Sequence, residues 1–351
     1  MTLVTTDNNQ ALSTDPNGGF RSRNARRVAV TGGAGFLGRN LRGVLEADPA
    51  VEAIVSLDVR KSEAVGDKTH AYNLDLTSRG AEERLVEVLM SEKVDTLVHL
   101  ALLSSPSSDA TWEHELESVG TMHVVNACRR TRVRKLILKS QTFLYGAHPT
   151  NPNYLSETHA IKAPLGEAYF RDKYQSEQQI LAFGPPGSAR IATVLRTAPI
   201  IGPHIDDYIA HYFRRRFVPT VLGFDPLWQF VHEADAIAAF ALAIQRDAPG
   251  IFNISGSGVL PLSTVIKLCG RSHLPVPASV LSAMLGSMWL TRLSDAPPFL
   301  VDYLRYICVA DGARAKDVLG FSPAFSTREA LIDFASAQHL RDAKLLSETP
   351  A

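Results

Sequence analysis

Little in this chain points to a covalent framework or to a polyanionic partner. Only three cysteines, Cys128, Cys269 and Cys308, occur among 351 residues. Their wide spacing excludes a disulfide scaffold and a thiolate metal centre. Neither sign of charge is in surplus: 36 Lys+Arg balance 36 Asp+Glu. That balance argues against a dedicated nucleic-acid binder, which needs a basic excess for phosphate contacts. Long apolar runs are missing too. The longest mostly apolar stretch, Val276 to Leu290, is broken by small and polar residues and falls short of the ~20 residues that span a bilayer. The first twenty residues, MTLVTTDNNQALSTDPNGGF, have no basic start followed by an apolar core, so no secretory signal is expected. A cytoplasmic protein without a membrane span is the expectation.

What is present is ordinary globular composition, with 45% hydrophobic and 21% charged residues. The length suits one large α/β domain with a lesser lobe. Residues 1–25 are polar and aperiodic and read as a disordered leader. From RRVAVTGG onward, short apolar strands alternate with helical patterns: Arg27 to Thr31, VEAIVSLDV, a weak strand near His70, VDTLVHLALL, VRKLILKS and ARIATVLR. Six such strands imply a parallel sheet covered on both faces, a Rossmann-type doubly wound fold, over residues 26–200. One helix is expected from about Glu113 to Arg130. After residue 200 the rhythm changes. Residues 201–345 read as a smaller, mainly helical substrate lobe, with some segments returning to the first domain.

Three features carry chemistry. The first is TGGAGFLG, which sets Gly32, Gly35 and Gly38 between a strand and a helix. Gly32 permits the tight turn, Gly35 lets a pyrophosphate approach the backbone, and Gly38 lets the helix pack close, with the helix N-terminus facing the phosphates. Gly33 is a bystander on this reading, apart from a backbone role. The second is Asp58 at the end of SLDV, whose carboxylate suits the two hydroxyls of an adenine ribose and so favours NAD over NADP. Arg60 is the alternative, as a partner for a 2′-phosphate. Asp75 in NLDL is a candidate for the adenine amino group. The third is Tyr169 and Lys173, four apart and therefore on one helix face. An adjacent ammonium would favour the phenolate of a catalytic tyrosine.

Taken together, TGGAGFLG, HLALLSS, KSQTFLYG, YFRDK, VLRTAPIIGP, QFVHEADA and LGFSP resemble the extended short-chain dehydrogenase/reductases, and more narrowly the NAD-dependent epimerase/dehydratase family. The resemblance runs over about residues 27 to 340. It implies bound NAD, a small-molecule substrate that in many members is a nucleotide sugar, and a homodimer. It also implies cofactor contacts at Phe36, Leu37, Leu76, Leu100, Ala101 and Lys173, and substrate contacts at Ser104 and Ser105. Tyr169 is then the catalytic base or acid.

The family's hydroxyl four residues before the tyrosine of the Tyr–Gly pair is absent. Position 141 is Gln, with Ser140 and Thr142 as flanking substitutes. An arginine expected four residues before His232 is replaced by Trp228, which fits either an apolar ligand or the core of the lobe. Arg214, Arg215 and Arg216 are the alternative diphosphate ligands. His99 is either a neighbour of the cofactor or a satisfied core group. HEADA has Ala236 where a zinc-binding helix would carry its second histidine, so no metal is expected. Three functions follow as expectations: epimerase/dehydratase chemistry at a hydroxyl-bearing carbon, redox chemistry on an apolar, sterol-like alcohol or ketone, and NAD binding with an impaired catalytic centre.

Overall fold

The computed structural model describes residues 25–60 and 66–348, with side chains as far as residue 340. Apart from its last residue, the expected leader lies outside the described residues. The first half comprises β1 (Arg26–Thr31), α1 (Phe36–Ala47), β2 (Val51–Asp58), β3 (Thr69–Asn73), α2 (Ala81–Ser91), β4 (Thr96–His99), α3 (Ala110–His114), α4 (Gly120–Arg130), β5 (Lys135–Gln141), α5 (Ala168–Leu181) and β6 (Ile191–Thr197). The second half adds β7 (Ile200–Ile201), α6 (Tyr208–Arg214), β8 (Phe217–Val221), β9 (Leu227–Trp228), β10 (Val231–His232), α7 (Glu233–Gln245) and β11 (Gly250–Ile254). Then follow β12 (Leu260–Pro261), α8 (Leu262–Leu268), β13 (Ser272–Val276), α9 (Ala278–Leu290), α10 (Leu300–Tyr303) and α11 (Thr327–Glu348).

Seven parallel strands form the main sheet in the order β11-β6-β5-β4-β1-β2-β3. The chain order reverses between β1 and β4, and a doubly wound sheet binds ligands in the crevice at such a reversal. Val28, Ala29 and Val30 of the central β1 are fully buried, as helices on both faces require. α7 and β11 come from the second half of the chain yet join this sheet. Buried Lys135 on β5 donates to the last carbonyls of α7, at 3.2 Å from Ala243 O and 2.8 Å from Ile244 O. A cation at a helix C-terminus offsets the dipole there.

The helix expected from Glu113 to Arg130 is not uniform. A π turn, Glu115–Val119, separates α3 from α4. Such turns tend to occur at functional positions, and this one carries a buried carboxylate into the site.

Candidate active site

The glycine turn is shaped by close approach. Gly32 has φ +69°, and a Cβ there would sit 2.8 Å from the backbone of Leu100 and Ala101 on the loop after β4. A Cβ on Gly38 would come within 2.3 Å of Gly32 O, so only glycine lets α1 pack this tightly against the turn. Gly33 is more than a bystander. A Cβ there would fall 2.1 Å from Ser56 Oγ, and its carbonyl accepts Nε of the fully buried Arg42 at 3.1 Å. No side chain caps α1 at Gly35, which leaves the amides of the first turn for an anionic ligand.

Two adjoining hollows open at this turn. The first, of about 290 Å³, is lined by Gly32, Gly35, Asp58, Leu76, Leu100 and Ala101, among others. Asp58 ends β2 almost fully buried. Its Oδ2 accepts Ala34 N at 3.0 Å and its Oδ1 accepts Arg60 N at 2.9 Å. The Arg60 side chain is mostly exposed, yet it lines both hollows and its Nε lies 3.6 Å from Asp58 Oδ1. Leu74 and Leu76 line this hollow but Asp75 does not. Asp75 is exposed, and its Oδ1 is taken by Thr77.

The second hollow, of about 440 Å³, shares Gly32, Gly35, Arg60, Leu100, Leu102 and Ser104 with the first. Its wall includes Phe36, Leu37, Gly38, Lys139, Gln141, Tyr169, Lys173 and Tyr208. An adenosine-sized hollow ending on a carboxylate, a glycine cradle no Cβ tolerates and an uncapped helix end fit a dinucleotide.

Tyr169 is the centre of the second hollow. α5 presents it from below, and Phe299 stacks against its ring at 5.9 Å. Its hydroxyl donates to Gln141 Oε1 at 3.1 Å. The amide nitrogen of Gln141 is buried and has no partner among the described residues. Of the three candidates on β5 and just after it, only Gln141 reaches the tyrosine. Ser140 points to the other side of the strand and donates to Glu177 Oε1 at 2.5 Å. That carboxylate also holds the buried Arg196 at 2.6–2.9 Å. Thr142 begins a buried 3₁₀ turn and lines neither hollow. The alternation of a strand explains this: residues 139 and 141 share one face and residue 140 takes the other.

Lys173 lies with its ammonium 4.8 Å from the Tyr169 ring centroid. It donates to Leu103 O and to Glu117 Oε1, both at 2.8 Å. Glu117 is fully buried on the π turn and was not legible as a site residue. Its charge offsets that of the lysine, so the expected phenolate is not favoured in this state. Burial, followed by the neighbouring Tyr208 and the carboxylates of Glu117, Asp207 and Glu113, holds the Tyr169 phenol well above its usual value.

Lys139 is a second residue that the motifs did not reveal. It faces the same hollow from β5, and burial lowers its ammonium to about 8. The one available signal was a lysine inside the otherwise apolar run KLILK.

The remaining expectations sort cleanly. Ser104 lines both hollows. Ser105 lines neither; its Oγ accepts Tyr208 N at 3.0 Å and so fixes the start of α6. Trp228 is core, packed edge-on against Phe143 and Phe213 and stacked on Phe230. Arg214 pairs with Asp206, Arg215 reaches Ser294 and Asp295, and Arg216 lies over Phe217; none lines the hollow. His99 is a satisfied core group between Thr31 Oγ1 at 2.7 Å and Thr121 Oγ1 at 3.0 Å. Burial lowers its imidazole to about 3, which keeps it neutral.

Comparison with known proteins adds four findings. Residues 28–255 match the NAD dependent epimerase/dehydratase family. An uncharacterized protein of Mycobacterium tuberculosis is 30% identical over 320 residues, covering 88% of this chain and 82% of its own. The 4-hydroxy-2-methyl-3-oxo-4-farnesyl-3,4-dihydroquinoline-1-oxide ketoreductase of Stigmatella aurantiaca is 26% identical over 289 residues, covering 77% of this chain and 83% of its own. Among solved structures, the UDP-glucose 4-epimerase of Thermus thermophilus in complex with NAD superposes with a TM-score of 0.69 at 20% identity, over 89% of this chain and 99% of that one. This last likeness is one of fold.

Proposed function

This chain belongs to the NAD-dependent epimerase/dehydratase family, and from that premise we propose that it acts on a hydroxyl-bearing carbon of a nucleotide sugar, with Tyr169, Gln141 and Lys173 as its reacting and positioning groups. It is an NAD-dependent enzyme. The observation that carries the reading is the orphaned amide of Gln141, buried beside the Tyr169 hydroxyl in a hollow continuous with the dinucleotide cleft. A buried donor without a partner costs about 1–3 kcal/mol, and a substrate oxygen placed between the amide and the phenol removes that cost.

When bound, NAD supplies the acceptor for a hydride. The protein supplies the rest. The amide of Gln141 holds the reacting oxygen, and Tyr169 would take the hydroxyl proton as phenolate when hydride leaves the carbon and return it as phenol when hydride comes back. Lys173, tied to Leu103 O and Glu117 and 4.8 Å from the Tyr169 ring centroid, would hold the ribose of NAD. Gln141 donates and accepts hydrogen bonds but cannot relay a proton as a hydroxyl does, so the proton is carried by Tyr169 alone. Asp58 gives the preference for NAD over NADP. Lys139 offers the substrate half of the hollow a cation that the Arg214–Arg216 run does not.

Incubation with UDP-sugars tests this reading. The expected result is conversion of the sugar without net accumulation of NADH, because the hydride returns. A second reading, reduction of an apolar ketone, is favoured by the aromatic side chains of Phe143 and Tyr208 on the wall of the hollow. Its mark is stoichiometric NADH consumption with such a ketone and no change in any nucleotide sugar. We place the enzyme in the cytoplasm as a homodimer, for which light scattering is the check. Among the described residues no helix is long and apolar enough to cross a membrane.

A further inference from the structure

Lys139 stands in the wall of the second hollow without a counter-ion. It lies on β5 two residues before Gln141, on the same face of the strand and about 7 Å away along it. Among the described residues, no hydrogen bond or ion pair joins its ammonium to another group. The charged groups that act on it most are Lys173, Glu117 and Asp207. Each is engaged elsewhere. Lys173 and Glu117 pair with one another at 2.8 Å. Asp207 begins α6, and its Oδ1 accepts Ala210 N at 2.8 Å. The phenols of Tyr169 and Tyr208 face the same hollow, and burial holds both well above their usual value.

With the adenosine of NAD against Asp58, the pyrophosphate falls at the glycine turn that the two hollows share. The nicotinamide end is left to the second hollow, where Tyr169, Lys173, Gln141 and Lys139 meet. The oxidised nicotinamide ring carries a positive charge and the reduced ring carries none. A fixed cation in a poorly solvated wall therefore penalises the oxidised form and not the reduced one.

We infer that Lys139 sets the redox poise of the bound cofactor, biasing it toward NADH from the wall of the hollow. The bias favours departure of hydride from the substrate carbon and opposes its return. The inference rests on the placement of NAD in the cleft and not on the identity of the substrate.

Binding titrations of the full-length protein with NAD and with NADH, in the absence of substrate, test it. The quantity read is the ratio of the two dissociation constants, Kd for NAD over Kd for NADH. Lys139→Met removes the charge from a side chain of similar length and should lower the ratio by about tenfold or more. A merely structural defect weakens both nucleotides alike and leaves the ratio in place. Lys139→Arg keeps a cation and should stay within about threefold of the wild-type ratio.

A second arm uses the wild-type protein alone. Burial, and then Lys173, lowers the Lys139 ammonium to about 8, while Asp207, raised by burial to about 6, stays ionised above neutral pH. Raising the pH from about 7 to about 9.5 should therefore lower the ratio in wild type but not in Lys139→Arg, whose guanidinium remains charged. An unchanged ratio in folded Lys139→Met, or a wild-type ratio that does not move with pH, overturns the inference. A protein that binds neither nucleotide overturns it together with the cofactor placement. Absence of turnover on UDP-sugars counts against the proposed substrate alone.

Discussion

Lys173→Met should do two separable things, and the structure gives the size of each. The ammonium forms an ion pair with Glu117 at 2.8 Å, with the lysine side chain 7% and the glutamate 0% exposed. Glu117 Oε1 also accepts Leu103 N at 2.6 Å, while Oε2 has no partner. Removing the ammonium strands a carboxylate in the interior, which costs about 3–5 kcal/mol. In a chain of this size that lowers the melting temperature by roughly 4–7 °C. Activity and NAD affinity should fall as well, because the cation that would hold the ribose of NAD is gone. The double variant Lys173→Met/Glu117→Gln separates the effects. Its amide still accepts Leu103 N and carries no charge, so stability should return to within about 1–2 kcal/mol of wild type. Turnover should stay low. Urea denaturation followed by circular dichroism reads the first quantity, and NAD titration with a turnover assay reads the second. A Lys173→Met protein as stable as wild type would refute the buried-pair argument. A double variant with wild-type turnover would refute any role for the lysine beyond neutralising Glu117.

The other predictions are brief. Glu113 is buried, and desolvation raises its carboxyl to about 7 against 4.5 for the free group. The folded state therefore holds a proton that the unfolded state has lost, so stability should fall by about 3 kcal/mol as pH rises from 4.5 to 7. Glu113→Gln should flatten that slope in pH-dependent denaturation and stabilise the protein at pH 8 but not at pH 4. Gly32→Ala places a methyl against Leu100 and Ala101 at a positive φ; NAD affinity should fall at least tenfold, and isothermal titration is the check. Asp58→Asn should narrow a preference for NAD over NADP that is at least tenfold, about 1.4 kcal/mol, in wild type. Gln141→Ala should reduce turnover strongly, whereas Thr142→Val should not, since Thr142 is buried away from the hollow.

The parts that sequence disclosed are those set by local rules. Glycines in a strand-to-helix turn, apolar runs in parallel strands and a four-residue spacing on a helix each have one physical reading, and the fold agrees with them. What stayed hidden depends on distant partners. Ser140 looks like a catalytic hydroxyl until Glu177, thirty-seven residues on, claims it from the other face of the sheet. Glu117 reads as one more polar residue of a helix; only the π turn rotates it inward to meet Lys173. Trp228 stood between ligand and core because an aromatic in a short segment satisfies both, and three surrounding rings decide for the core. The surroundings of Lys173 stayed hidden for the same reason: the lysine was visible in sequence and its counter-charge, Glu117, was not.

The central claim is that Tyr169 carries the proton. Tyr169→Phe keeps the ring and its stacking on Phe299, so folding and NAD affinity should remain close to wild type. Turnover of a nucleotide sugar should fall by about 10²–10⁴. Single-turnover assays on wild type and variant, each saturated with NAD, measure this directly. A Tyr169→Phe enzyme that retains more than half of wild-type turnover would contradict the mechanism.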